Sequence, residues 1–361
     1  MCMMCIVVFS SFIGIGSYLL FQGVKQNAVI ASLSGTILGI LIFILFLILN
    51  KNMKDMNIIE YNKYIFGNFI GNIFNIILNV TVFFIASVFL QNIVNFINTN
   101  YLLETSTLYI KILLIAPICY AASQKITTIS NISVAVFFID LAIVIVSFFG
   151  MQSQIKFERI YPIMSCGFGE FAKYSILYAI CGIFGIFLLN IVSKKERYDD
   201  TKIVKKFFIM YFVANLFCIV VIFFTVAVLG ADLVYIYNYP EYFITQEFSL
   251  FSIIERVENT LCLSFIFNAF FTITLMIYFI SKSITISLNL KMKKDDNVLY
   301  KDKNYYFVIP IIITSIMILF TDKFFKSPLK FNEFIDNYYI VLIVRFYYFN
   351  DIKFNIWNNK E

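Results

Sequence analysis

The fold is decided by the first apolar stretch of the chain, residues 5–24, which reads CIVVFSSFIGIGSYLLFQGV. This stretch carries no charged side chain, and its length matches the roughly 20 residues with which an α-helix crosses about 30 Å of hydrocarbon. It lacks the basic start and the small-residue cleavage site of a signal peptide. We therefore predict a first membrane-spanning helix with two glycines, Gly14 and Gly16, near its middle.

The same excess of apolar residues runs through all 361 residues. Hydrophobic residues make up 61% of the chain and charged residues 14%, and the mean hydropathy is +0.85, whereas a soluble domain is about half apolar and a quarter charged. There is no histidine, which removes the commonest general base and metal ligand. No phosphate-binding loop, dinucleotide fingerprint or nucleophile–base pair is present. The composition excludes an ordinary soluble enzyme and indicates an all-α integral membrane protein.

The cysteines and the net charge point to no further ligand class. The seven cysteines are scattered, and the C-x-x-C spacing of Cys2 and Cys5 has no second pair to complete a zinc site. We therefore expect no metal and no cofactor. The net charge of +6 reflects basic residues beside spanning helices, which set orientation, so we expect no nucleic-acid partner.

Hydropathy and charge divide the chain, which we treat as one transmembrane domain of residues 1–361, into about ten transmembrane helices. Arg345 interrupts the last of them, and two amphipathic pieces, 151–170 and 231–256, separate others. The predicted spans are 5–24, 27–49, 69–97, 107–122, 129–150, 171–193, 204–229, 257–281, 305–321 and 337–352.

The distribution of lysine and arginine sets the orientation of these spans. With the N-terminus inside, the inner loops and tail hold 19 of the 28 basic residues and the outer loops hold 8. Cytoplasmic loops are the ones enriched in these residues. We therefore expect a multi-pass protein with both termini in the cytoplasm.

Ten spans divide into two sets of five, residues 5–150 and 171–352. Because five is odd, the second set would enter the membrane from the opposite face, which makes an inverted repeat. The first span of each set carries paired glycines, in Gly14-Ile15-Gly16-Ser17 and in Cys181-Gly182-Ile-Phe-Gly185. We predict that helices 1 and 6 are broken there and that the freed backbone binds a ligand. Close helix packing through small residues is the alternative.

Other small or polar residues recur at every fourth position, on one face of a helix. Two glycine pairs favour close helix packing. A polar stripe in span 3 favours hydrogen bonding between helices. A second polar stripe, in span 8, fits either such bonding or the lining of a ligand path. The pairs are Gly35 with Gly39 and Gly67 with Gly71; the stripes are Gly71, Asn75 and Asn79 in span 3, and Thr260, Ser264, Asn268 and Thr272 in span 8.

Asp140 is the clearest charged residue inside a predicted span. A carboxylate at that depth costs several kcal/mol unless it is paired, protonated or hydrated, so an ion-coupling or gating role is the default hypothesis. A structural ion pair is the alternative. Arg345 and a bound cation are both possible partners.

Several short motifs, in an order and spacing that agree from about residue 10 to 285, carry a family resemblance. They are Ile13-Gly-Ile-Gly16, Asn57-Ile-Ile-Glu-Tyr61, Phe66-Gly-Asn-Phe-Ile-Gly71, Leu229-Gly230, Tyr239-Pro240 and Ile254-Glu-Arg-Val-Glu258. Together they resemble the spore germination permeases, the B subunits of GerA-type nutrient germinant receptors. That family belongs to the amino acid–polyamine–organocation superfamily, so the resemblance also implies the five-plus-five inverted repeat of the LeuT/APC-like fold.

The resemblance implies a function as well. It suggests a non-enzymatic subunit of the spore inner membrane that senses a nutrient, often an amino acid, together with an A-type subunit and a lipoprotein C-type subunit. The expected ligand-binding residues are Gly14, Ile15, Gly16, Ser17, Cys181, Gly182, Gly185, Ser264 and Asn268. A secondary transporter of amino acids or other small solutes is the alternative.

The sequence also departs from the family pattern in two places. Family members commonly have F-P-F-G-E in span 6, where this chain has Gly182-Ile-Phe-Gly185-Ile186 without the proline and the acid. The tryptophan usual after the acid of span 8 is missing, since Ser264 and Phe265 occupy that region. The identity of the ligand therefore does not carry over, and a divergent paralogue fits as well.

Overall fold

Long apolar runs with few helix breakers make most of the described chain helical. The computed structural model describes residues 2–52, 56–151, 154–192, 203–246, 257–288, 305–325 and 327–339. The regular secondary structure of these described residues is entirely helical. The α-helices are α1 Cys2–Ser11, α2 Ser17–Val24, α3 Ala28–Asn52, α4 Ile58–Asn100, α5 Thr107–Ala122, α6 Ile126–Met151, α7 Phe168–Leu188, α8 Ile203–Leu229, α9 Ala231–Val234, α10 Pro240–Gln246, α11 Val257–Ser287, α12 Tyr305–Phe324 and α13 Pro328–Phe334.

The first nine predicted spans each coincide with helix, whereas the tenth, 337–352, lies almost wholly outside the described residues. Seven helical stretches in the described part are long and apolar enough to cross a membrane. The first of them, Cys2–Leu47, has 46 residues, and the helix is interrupted within it at Lys25 (φ 47°, ψ −122°). The fourth predicted span, α5, is a shorter apolar helix of 16 residues that contains Pro117.

The turn between α2 and α3 is held by hydrogen bonds to the segment before α7. Asn27 donates a hydrogen bond to the hydroxyl of Ser165 at 2.9 Å and accepts one from the backbone N–H of Met164 at 2.7 Å. Lys25 lies 4.4 Å from the ring centre of Tyr235, which follows α9. These contacts fix the end of α2 against two connecting segments.

α4 begins with a capping box, which explains the motif Asn57-Ile-Ile-Glu60. The Asn57 side chain accepts hydrogen bonds from the N–H groups of Ile59 and Glu60, and Glu60 accepts one from the N–H of Asn57 at 3.1 Å. The motif therefore satisfies N–H groups that a helix start leaves without partners.

Gly67 breaks α4. Its spacing from Gly71 had predicted close helix packing instead. It has φ 79° and ψ 170°, a conformation that suits glycine and strains other residues. The chain after the break returns beside the first turns: Asn62 donates to Asn75 at 2.6 Å, and Asn75 donates to the carbonyl of Ile59 at 3.2 Å. A Cβ on Gly71 would lie 2.7 Å from the carbonyl oxygen of Asn62, so this glycine does allow a close approach.

Contacts divide the chain into two compact units. Unit 1 comprises Met1–Ile44, Ile132–Gly185 and Val204–Ala269. Within it, Tyr211 of α8 donates a hydrogen bond to the carbonyl of Thr36 at 2.8 Å and stacks on Phe43. Gly35 is in close contact with α7, where a Cβ would lie 2.6 Å from the carbonyl oxygen of Ser175, which confirms the close packing predicted for this part of α3.

Unit 2 comprises Leu45–Asn131, Ile186–Ile203 and Phe270–Glu361. Its helices α4, α5 and α12 pack on one another. Phe84 of α4 meets Phe320 of α12 edge to face, with ring centres 5.1 Å apart. The buried Lys111 of α5 pairs with Asp322 of α12 at 3.2 Å, so this part of the unit also contains an ion pair.

Candidate functional site

The first membrane helix is broken where its glycines predicted. α1 ends at Ser11, a π-helical turn covers Phe12–Gly16, and α2 starts at Ser17. Inside the turn, Ile13 (φ −62°, ψ 128°) and Gly14 (φ 81°, ψ −34°) have non-helical backbone. The positive φ of Gly14 is one that glycine adopts without the steric cost of a Cβ. The break in helix 1 is therefore confirmed.

The turn is buried and has polar groups around it. The hydroxyl of Ser17, which is 0% exposed, accepts a hydrogen bond from the N–H of Gly14 at 3.2 Å. Ile15 is also fully buried, and a Cβ on Gly16 would lie 3.0 Å from the carbonyl oxygen of Ser11. Gly14 thus supplies the unusual backbone conformation, while Gly16 allows the turn to close tightly.

α7 runs beside α1 in the opposite direction. The Ser11 hydroxyl contacts the carbonyl oxygen of Cys181 at 3.3 Å, while Gly185 faces Met4, whose carbonyl oxygen would lie 3.0 Å from an added Cβ. As the residue number rises along α1 it falls along α7, so the two helices are antiparallel. The structure thereby brings Cys181 next to the break of helix 1.

The break predicted for helix 6 is wrong. α7 continues as α-helix from Phe168 to Leu188, through Gly182 and Gly185, and ends in a 3-10 turn at Leu189–Ile191. Gly182 packs against Asn215, whose side-chain oxygen would lie 3.0 Å from an added Cβ. Since glycine lowers helix stability by only about 1 kcal/mol relative to alanine, packing contacts can hold the helix straight. The alternative interpretation, close packing, is the one that applies here.

Asp140 of α6 and the polar stripe of α11 form a second buried cluster. Asp140, which is 4% exposed, accepts hydrogen bonds from the hydroxyl of Ser264 and, at 2.9 Å, from the side-chain amide of Asn268. Both donors were predicted site residues, although not as partners of the acid. Arg345, the partner considered from the sequence, lies outside the described residues.

Asp140 and the break of helix 1 contact different helices. Asp140 is hydrogen-bonded to Ser264 and Asn268 of α11, whereas the turn Phe12–Gly16 contacts α10. The predicted site residues therefore separate into one group at the break (Gly14, Ile15, Gly16, Ser17 and Cys181), another at the acid (Asp140, Ser264 and Asn268), and the packing glycines Gly182 and Gly185.

Glu241 is a residue of the site that the sequence analysis missed. It lies on α10, which contacts the turn Phe12–Gly16, and it is 6% exposed. Burial raises the pKa of its carboxyl from 4.5 to about 7, although Ser17 and the backbone of Gly14 lower it. The available signal was its position directly after the Tyr239-Pro240 motif.

Pro240 begins α10, and Ile244 packs on Phe224 and Val228 of α8. Proline is well suited to the first position of a helix, because its fixed φ fits there and no hydrogen-bonded N–H is lost. The start of α10 and its apolar face therefore position Glu241 beside the break.

The described residues contain no group of three or more histidine, cysteine, aspartate or glutamate side chains that would hold a metal ion. The helices and the two buried polar clusters define the class as a multi-pass membrane protein whose first helix is broken in the middle. The sequence matches the spore permease family, described as spore germination proteins, over residues 1–325. The chain therefore belongs to the spore germination permease family. None of the curated proteins matches it.

Proposed function

We propose that this protein is a nutrient-sensing membrane subunit of a spore germinant receptor, and that it binds a small germinant, an amino acid, at the break of helix 1. The observation that carries the proposal is the π turn Phe12–Gly16, which lies buried within a helix long enough to cross a membrane. Backbone that leaves the helical pattern at such a depth is tolerated where it meets protein or a cavity. In transporters, breaks of this kind bind the substrate.

The antiparallel course of α1 and α7 supports a transporter-like core. The first two predicted spans of each half, α1–α3 from the first and α7–α8 from the second, lie for the most part in unit 1. A ten-helix, five-plus-five inverted repeat of the LeuT/APC type is the arrangement we propose on this basis. Because α7 is unbroken, we assign the ligand site to Gly14–Ser17 and Cys181, and assign Gly182 and Gly185 to packing.

The site would have to open to admit a ligand, since Gly14 and Ser17 are buried. The ligand can shift the equilibrium between the closed and open conformations only by the difference of its affinity for them. We propose that an A-type subunit and a lipoprotein C-type subunit transmit this change. The complex would reside in the spore inner membrane, with both termini of this subunit in the cytoplasm.

The proposal is tested by replacing Gly16 with leucine in spores. The added side chain would meet the Ser11 carbonyl and the Phe12 ring, which lie 3.0 and 3.2 Å from the position of its Cβ. We expect Gly16→Leu spores to lose the fall in optical density that follows nutrient addition, while the protein still inserts into the membrane.

Gly169→Leu is the matched control, because nothing lies within 4 Å of the position of its Cβ. It should leave the nutrient response unchanged. A normal response of Gly16→Leu spores would rule out the break as the germinant site.

An amino-acid transporter is the second candidate, and the buried Asp140 favours it, since an intramembrane acid suits ion coupling. Purified protein in liposomes would then exchange labelled for unlabelled amino acid without other subunits, and Asp140→Asn would abolish the coupling of uptake to an ion gradient. Absence of exchange, together with the loss of germination in Gly16→Leu spores, supports the receptor.

A further inference from the structure

The carboxyl group of Glu241 is buried next to the break, and its oxygens are incompletely satisfied. Neither oxygen makes a hydrogen bond of good geometry with a described residue, although the Ser17 hydroxyl and the backbone N–H of Gly14 lie close enough to lower the pKa of the carboxyl. The side chain is 6% exposed, and the helix that carries it contacts the turn Phe12–Gly16. A buried carboxylate whose charge is not balanced costs free energy, so this arrangement indicates a partner that binds from outside the described residues.

The groups beside the carboxyl favour a positively charged partner. Ser17 and the backbone of Gly14 lie next to it, and no described lysine or arginine forms an ion pair with it. Two basic side chains of unit 1 interact with other groups: Lys25 lies over the ring of Tyr235, and Arg159 packs against Gly230. The negative charge of an ionised Glu241 is therefore left unbalanced by the described residues.

The broken helix adds to this preference. α1 ends at Ser11, directly before the break, and the carboxyl end of a helix carries a partial negative charge and carbonyl groups without helical partners. An ammonium group brings three N–H donors, and a carboxylate oxygen, which has two lone pairs, can accept one of them beside another donor. A carboxylate and a helix C-terminus together form an environment that attracts such a group and repels an anion.

We propose that Glu241 binds the ammonium group of the ligand at the helix break, so that the site selects small primary amines, amino acids among them. This inference rests on the proposed function, because it assigns a chemical group of the ligand to the same site. It adds a residue that lies on the connecting helix α10, outside the helices expected to form the site. It also predicts that ligands with a blocked amine are rejected.

The experiment measures thermal unfolding of the full chain in detergent with a thiol-reactive fluorophore, which reports the exposure of the buried Cys5, Cys181 and Cys218. The probes are an equimolar mixture of the 20 common L-amino acids, the same mixture N-acetylated, methylammonium chloride and sodium chloride. At pH 8 we expect the free amino acids to raise the wild-type midpoint by about 2–5 °C, as ligands bound to the folded state do. The N-acetylated mixture should give no rise.

Glu241→Gln keeps the shape of the side chain and removes its charge. It should unfold at or above the wild-type temperature without a probe, and it should lose the rise with amino acids. Asp232→Asn is the matched control: Asp232 lies on the neighbouring helix α9 and is exposed, so this variant should respond as the wild type does.

Four outcomes would overturn the inference. These are an equal rise in Glu241→Gln, an equal rise with the N-acetylated mixture, no rise of the wild type with any amine, and a rise with sodium chloride that matches the one with amines. The wild-type comparison of free and acetylated mixtures decides the matter even where Glu241→Gln fails to fold. The proposed function is decided separately by the germination of Gly16→Leu spores. The break can therefore still be identified as the germinant site if Glu241 proves not to bind the amine.

Discussion

Asp140 on α6 accepts a hydrogen bond from the side-chain amide of Asn268 on α11 at 2.9 Å, across 128 residues of sequence. Asn268 also donates to the carbonyl of Ser264, and the Ser264 hydroxyl donates to the same carboxyl oxygen of Asp140. The acid is thus held by two neutral donors that lie one helical turn apart. Because neither donor is charged, protonation of Asp140 would break no salt bridge with them. Such an arrangement suits a gating group.

Ser264→Ala should destabilise unit 1, because it leaves the buried Asp140 carboxyl with one donor fewer. The expected loss is about 1–2 kcal/mol, typical of a hydrogen bond to a buried acceptor. The fluorophore unfolding assay measures it as a lower midpoint temperature.

Ser10→Ala is the control for this change. The Ser10 hydroxyl is buried on α1 and has no hydrogen-bond partner among the described residues, so its removal should be neutral or slightly stabilising. Equal midpoints for the two variants would contradict the role assigned to Ser264.

Gly35→Ala should also lower the midpoint, because α3 and α7 approach each other closely there. An added Cβ would lie 2.6 Å from the carbonyl oxygen of Ser175 and 2.9 Å from the Cβ of Tyr178. Overpacking of this kind costs about 1–3 kcal/mol, which exceeds the gain in helix propensity of about 1 kcal/mol.

Gly169→Ala, near the start of α7, has nothing within 4 Å of the new Cβ. It should leave the midpoint unchanged or raise it slightly. If both alanine variants behaved alike, the close approach of α3 and α7 would be disproved.

The sequence predicted the helices well because hydropathy and length are local properties. It also located the break at Gly14, since paired glycines in the middle of a span weaken the helix at that point. The same argument failed for Gly182 and Gly185, because Asn215 and Met4 pack against that side of α7 and these contacts join distant segments. Local composition alone does not distinguish a glycine that bends a helix from one that admits a neighbour.

The polar clusters also show that local sequence does not predict contacts between distant segments. Asp140 was recognised as a functional candidate because an acid inside a span is expensive, but its donors on α11 follow from tertiary packing. Glu241 was missed because it lies outside the spans, in a segment where acids are ordinary. Its burial comes from the contact between α10 and the turn Phe12–Gly16, which no local pattern encodes.

Lys111→Met should be tolerated, whereas Asp322→Asn should be destabilising. Lys111 is 1% exposed and Asp322 is 50% exposed, with 3.2 Å between Nζ and Oδ1. Removing Lys111 leaves an acid that water reaches, while removing the charge of Asp322 leaves a buried ammonium without its partner. The expected loss for Asp322→Asn is about 1–2 kcal/mol, reduced by the exposure of the aspartate.

The double variant Lys111→Met, Asp322→Asn should recover the midpoint of Lys111→Met alone. Additive losses in the double variant would show that the two side chains do not interact.

The unfolding midpoint of the wild type should fall as the pH rises from 5 to 8, through the titration of Glu241. Its pKa is about 7 in the folded protein, where burial raises it, and 4.5 is its ordinary value. Between these values the folded state binds more protons than the unfolded state, so stability falls with rising pH. The titratable side chains that face the carboxyl are Cys218 and Tyr239, and the turn Phe12–Gly16 carries none. Burial raises the pKa of the Tyr239 hydroxyl, so this group stays neutral in this range.

Glu241→Gln should remove this part of the pH dependence, and its midpoint should exceed that of the wild type most at pH 8. The difference between the two proteins isolates Glu241, because the other titrating groups are common to both. Asp232→Asn, with the same change of charge at an exposed position on α9, should follow the wild-type curve. Parallel curves for the wild type and Glu241→Gln from pH 5 to 8 would mean that the carboxyl is not buried beside the break in the folded protein.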